Sequence, residues 1–230
     1  MSCGDRPVRM LSCGIFRDEY KLLPEDLRQA VDPLFLDSML HIDPGKLDGI
    51  LDGFLHEHGG NQVLLSFGDC CPHMLEPGAA TCVARTEGVN CCEIYLGRER
   101  YDQLRKERAF FLMPEWAKRW EHVVRDELGL MDKQLARDFM TQSMRTAVYI
   151  DTGVLPVPEG ELAAFSDYTG LQVSVETVGP EHFIVAMRAA LQQLEYQVSS
   201  TQIREAKPEP DTEAEAEAST DADAGGSARG

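Results

Sequence analysis

The chain has 230 residues, 43% of them hydrophobic, and its 39 acidic against 22 basic side chains give a formal net charge of -17. That length accommodates one domain with a substantial core, while the charge argues against nucleic-acid binding, which draws on clustered Lys and Arg. No apolar run approaches the roughly 20 residues that cross a bilayer, so no membrane insertion is expected.

The opening stretch MSCGDRPVRM lacks the apolar core and small-residue cleavage site of a signal peptide, and a cytoplasmic location is expected. Under the reducing conditions there, seven cysteines, an odd number, point to metal binding, catalysis or plain burial rather than to a disulfide framework. Pro7 to Cys13 is an apolar run stopped by Gly14, which predicts a buried first strand ending on Cys13; Cys3 lies before it in a segment expected to fray. DEYKLLPEDLRQAV is helical in composition and divided by Pro24. PLFLDSMLHI reads as a second strand ending near His41.

Asp43-Pro44 starts a helix, with Leu47, Ile50, Leu51, Phe54 and Leu55 on one apolar face that ends before Gly59-Gly60. Gln62 to Phe67 is the third strand, followed by the turn Gly68-Asp69-Cys70-Cys71-Pro72, and Thr81 to Arg85 is a shorter fourth. Asn90 is placed to cap a helix from Cys91 to Arg108. Cys91 and Cys92 then fall in its first turn, where the partial positive charge of unpaired amides is expected to lower a thiol pKa.

Helices are predicted over Pro114 to Leu128 and Asp132 to Met144, with Trp116 and Trp120 on one face as packing residues. A fifth strand, Thr146 to Ile150, leads into Asp151-Thr152-Gly153, read as a strand cap and not as a protease turn. A helix at Glu161 to Tyr168, a strand at Leu171 to Val175 and a helix from Pro180 to Leu194 follow. Alternating strands and helices specify an α/β fold, a single Rossmann-like domain over residues 1–204 with a mainly parallel sheet flanked by helices. Residues 205–230, acidic and almost free of large apolar side chains, are expected to form a disordered tail.

In a parallel sheet, ligands bind beyond the carboxyl ends of the strands. Cys13, His41, Cys70 and Asp151 would all stand there, with Cys91 opening the helix after another strand. Three thiols from three segments suit zinc with an open fourth position, or a [4Fe-4S] cluster with one exposed iron. Cys71, Cys92 and His41 are alternative ligands, as is His73, whereas Cys82, inside a strand, is read as a small buried hydrophobe. No CxxC, GxGxxG or GxxxxGK[ST] motif occurs.

The chain also carries Ser12-Cys13-Gly14, Leu40-His41, Phe67-Gly68-Asp69-Cys70, Asn90-Cys91 before Tyr95-Leu96-Gly97 and Tyr101, and Pro114-Glu115-Trp116. This set, spread over nearly all of the chain except the tail, resembles the family known as domain of unknown function 1638. Phe67, Asn90 and Glu115 depart from its pattern. The resemblance selects Cys13, Cys70 and Cys91 over their neighbours and implies an association with corrinoid-dependent methyl transfer and one-carbon metabolism. Three functions are therefore expected in turn. The first is a metal-binding protein serving a corrinoid protein or methyltransferase; the second is a redox or cluster-bearing accessory to such a system; the third is a non-catalytic partner-binding module with structural cysteines.

Overall fold

Strand β1 (Val8–Cys13) is buried along almost its whole length and β3 (Val63–Ser66) along all of it, as continuous apolar runs require when a strand is covered on both faces. Residues 7–58, 60–71 and 82–206 are described by a computed structural model. With β2 (Val31–Leu36) and β4 (Val83–Arg85), these strands form an all-parallel sheet of order β2-β1-β3-β4. The chain leaves β1 toward β2 on one side and then crosses through helix α2 (Pro44–Glu57) to β3 on the other. The order therefore reverses between β1 and β3, where a crevice opens at the carboxyl ends.

The remaining strands, β5 (Ala109–Leu112), β6 (Thr146–Asp151) and β7 (Val173–Thr177), form a second parallel sheet of order β5-β6-β7. The α/β class with helical crossovers is as the sequence implies, with the strands shared between two sheets. One apolar cluster unites them, since Met10 and Leu65 of the first sheet and Val148 and Ile150 of the second belong to it. The long carboxyl-terminal helix α8 (Glu181–Ala206) contributes Phe183, stacked on Phe16 at 4.7 Å. A second cluster gathers Trp120, Tyr149 and Phe165, with Trp116 packed against both clusters. The tryptophans are packing residues, as their spacing predicts.

Several boundaries differ from the sequence reading for identifiable reasons. The second strand stops at Leu36, not near His41, because the Asp37 carboxylate accepts the Met39 N–H at 2.9 Å and turns the chain into a 3-10 segment, Ser38–Ile42. The single helix expected from Cys91 to Arg108 is two, α3 (Cys91–Leu96) and α4 (Arg98–Lys106), parted by Gly97 at φ 79°. Strand β5 was not foreseen. It follows the positive-φ residue Arg108, and its four residues are too few to show a period. Downstream of α5 (Pro114–Lys118), the helical path loosens into a π-helical turn, His122–Glu127.

Helix α1 (Glu25–Ala30) starts beyond Pro24, α6 (Lys133–Ser143) is capped by Asp132, and α7 is Glu159–Thr169. Helix α8 continues to Ala206, past the expected end at Leu194 and two residues into the segment assigned to the tail; the rest of that segment lies outside the described residues. Among those residues, no helix is long and apolar enough to cross a membrane.

Candidate functional site

The thiols named from the sequence stand at the carboxyl edge of the first sheet. Cys13 is the last residue of β1, and Gly14 follows it because a side chain there would run into the Leu36 carbonyl at the end of β2. Cys70 lies just beyond β3, its N–H donating to the Gly68 carbonyl at 2.8 Å. Gly68 passes so close to the Asn90 backbone that a Cβ would overlap it. That approach ties the loop after β3 to the loop that starts α3, as does the Asp69 N–H to Val89 carbonyl bond at 3.1 Å.

Cys91 opens α3, whose cap is the one the sequence indicates. Asn90 Oδ1 accepts the Glu93 N–H at 3.0 Å and its Nδ2 donates to the Tyr101 hydroxyl at 2.5 Å. The Glu93 carboxylate in turn accepts the Val89 N–H at 2.8 Å, so one short helix start is held from both directions. These constraints hold the Cys70 and Cys91 segments against each other across the end of the sheet.

The thiols sense one another. Interaction with the Cys13 thiol, then burial, then repulsion from the sulfurs of Cys13, Cys70 and Cys92 raise the Cys91 pKa well above the ordinary range. Burial followed by repulsion from Cys13 pushes the Cys70 thiol up to about 12, and the same two causes push Cys92 up to about 12. The lowered pKa expected for Cys91 at a helix start is therefore reversed. Helix α3 has six residues, and an end-of-helix interaction is usually worth about 0.3–1 kcal/mol, less than the penalty for burying an unpaired thiolate beside other sulfurs.

A thiophilic cation inverts that balance, because sulfurs that repel one another as thiolates become favourable neighbours around a positive charge. In donor chemistry the trio fits zinc or an iron–sulfur cluster. In position it is not a closed set: among the described residues, no three His, Cys, Asp or Glu side chains converge in an arrangement ready to hold a metal ion.

The other candidates divide. Cys71 and Cys92 are buried in the first core cluster beside the trio. Cys82 is also buried, one residue ahead of β4, and its carbonyl accepts the Val63 N–H at 2.9 Å. His41 is engaged elsewhere, since Nδ1 lies 2.6 Å from the Ser38 carbonyl and the ring stacks on Trp116 at 5.1 Å. Asp151 ends β6 in the second sheet and accepts the Gly153 N–H at 3.0 Å, a turn cap as expected. Cys3 and His73 lie outside the described residues.

A polar cleft of about 280 Å³ opens past the ends of β1 and β2, with Gly14, Glu19, Ser38, Glu115 and Arg119 among its walls. The Ser38 hydroxyl accepts from Trp116 Nε1 at 3.0 Å and from Arg119 Nη2 at 2.9 Å, and donates to Glu115 Oε2 at 2.7 Å. These bonds fasten the turn after β2 to α5 of the second sheet. Glu19 is 1% exposed and accepts the Thr152 hydroxyl at 3.2 Å; burial pushes its pKa up to about 7, with Asp18 and Glu115 adding repulsion. Sequence reasoning missed Glu19, because its surroundings come from segments far along the chain.

A family model matches residues 35–186, most of the chain, and that family is described as a protein of unknown function, DUF1638. The chain belongs to the DUF1638 family. The DUF1638 match takes in Cys70 and Cys91 and begins beyond Cys13 and Glu19, so it is narrower than the resemblance read from the sequence motifs. No curated protein and no solved structure matches this DUF1638 chain.

Proposed function

We propose that Cys13, Cys70 and Cys91 hold a thiophilic metal centre, zinc or a [4Fe-4S] cluster, and that this DUF1638 protein serves corrinoid-dependent methyl transfer or one-carbon metabolism. What supports the metal reading is that Cys13 ends β1, Cys70 follows β3 and Cys91 opens α3 at the strand-order reversal of a parallel sheet, with the close Gly68–Asn90 approach tying the last two segments together. The family resemblance supplies the setting, with a corrinoid protein or a methyltransferase as partner.

In this reading the chain's own residues do three things. The thiols give up their protons on loading, the burial of Cys13 and Cys91 keeps bulk water from the sulfurs, and the Gly68 and Asn90 contact holds two of the three segments in place. Bound zinc would supply Lewis acidity toward a substrate thiol or water, and a cluster would supply electron transfer. Thiol–disulfide exchange is the weaker reading, because an exchanging cysteine needs an accessible thiolate near neutral pH, whereas Cys91 is buried and Cys70 is pushed up to about 12.

The test is metal and acid-labile sulfide content, with a visible spectrum, on anaerobically purified protein and on Cys13→Ala, Cys70→Ala and Cys91→Ala. Stoichiometric metal that is lost in each folded variant is the expected result. A protein that stays metal-free after reconstitution under reducing conditions overturns the proposal.

A further inference from the structure

The polar cleft past the ends of β1 and β2 has an unbalanced charge. Its walls carry four carboxyl groups, Asp18, Glu19, Asp37 and Glu115, against the guanidinium groups of Arg17 and Arg119. Asp18 is met by Lys21 at 2.6 Å, and Arg119 meets Asp37 at 2.8 Å and Glu115 at 2.9 Å. Arg17 turns to Phe35, donating to its carbonyl at 3.3 Å and lying over its ring at 5.1 Å.

Glu19 differs from the other three. It is the most deeply buried of them, and among the described residues no cation pairs with it; Asp18 and Glu115, the charged groups beside it, repel its carboxylate. The Thr152 hydroxyl donates to it at 3.2 Å, and Tyr95 and Tyr149 are fully buried. Both phenols feel the Glu19 charge, and neither hydroxyl has a hydrogen-bond partner among the described residues. An unpaired carboxylate at such a place is expensive, and a cation entering the cleft removes that expense.

We infer that this cleft is a binding site for a small ammonium-bearing organic molecule, whose charge is met by the Glu19 carboxylate. The volume, at the small end of the roughly 300–1,000 Å³ usual for ligand pockets, limits the occupant to a compact metabolite. The position also suits a ligand, since Gly14 in the cleft wall directly follows Cys13 at the carboxyl ends of β1 and β2. The inference does not depend on metal at the thiols.

The experiment is calorimetric titration of the full chain with n-propylammonium, n-propanol and propionate, with tryptophan fluorescence as a second readout, since Trp116 donates to Ser38 of the cleft wall. Saturable binding of propylammonium alone is expected, weakening about tenfold between pH 8 and pH 6 as Glu19, titrating near 7, takes up its proton. Glu19→Gln, which keeps the size of the side chain and an acceptor for Thr152, is expected to abolish both the binding and its pH dependence. Equal binding of propanol, no saturable binding of propylammonium, or an affinity independent of pH in the wild type overturns the inference. The wild-type pH series decides it even if the variant does not fold.

Discussion

At the scale of single residues, Glu19 links the cleft to stability. Its pKa rises on folding from the ordinary 4.5 to about 7 because burial disfavours the carboxylate. The folded state therefore holds a proton that the unfolded chain has released between those values. The associated stability is complete below the unfolded pKa and is lost as pH rises through 4.5 to 7, a difference of about 3 kcal/mol. Glu19→Gln has no such dependence. Urea unfolding at pH 4.5 and pH 8 is expected to show the variant gaining on the wild type by about that amount at the higher pH; a constant difference would show that Glu19 does not titrate in this range.

The same scale separates what the sequence discloses from what it conceals. Cys13 and Cys70 were legible as site residues because each ends an apolar run, and in a parallel sheet such ends lie on one edge. Asn90 was legible as a cap by its residue type. Glu19 was not. Its neighbours in sequence, Asp18 and Tyr20, resemble a solvated helix face, and its hydrogen-bond partner Thr152 lies 133 residues away. Its depth and its missing counter-ion arise only when two distant segments meet.

At the scale of elements, the break between α3 and α4 rests on Gly97. Its φ of 79° and ψ of 152° lie where residues with a Cβ are strained, and a Cβ there would press on the His182 ring of α8 at 2.6 Å. Gly97→Ala is expected to destabilise the fold by about 1–3 kcal/mol, read as a lowered urea midpoint, whereas Gly49→Ala, with open space at its Cβ position, is expected to leave the midpoint unchanged or higher. A helical reading of 91–108 fails here because the leucine and tyrosine spacing continues through Gly97 and the breaking residue acts through a contact with a helix from the end of the chain. The strand Ala109–Leu112 was hidden for the opposite reason, since four apolar residues fit a strand, a turn of helix or a linker equally well.

At the scale of the whole molecule, the two sheets share one apolar cluster, and Arg100 of α4 grips Glu176 of β7 through two bonds of 2.7 Å. That ion pair is partly exposed and contributes at most about 1 kcal/mol; the shared core provides most of the coupling. Unfolding is therefore expected to be a single transition. The two tryptophans report the second sheet and its junction with the first, so their fluorescence and the far-ultraviolet circular dichroism of the whole chain should give coincident denaturation curves. A fluorescence change that precedes the loss of dichroism would show that the sheets unfold separately.

The parallel pairing also governs how the molecule comes together in time. Strand β1, central to its sheet, is synthesised well before its register partner on β3: Ser12 and Ser66 stand 54 residues apart. Among the described residues every ladder joins strands that run in the same direction, so no local hairpin can nucleate the fold and each pairing waits for a crossover to close. Loop closure of that kind precedes the contacts that reward it. During synthesis the apolar β1 is left without its β3 neighbour for many residues of growth, so the central pairing of the first sheet forms late although one of its strands is made early.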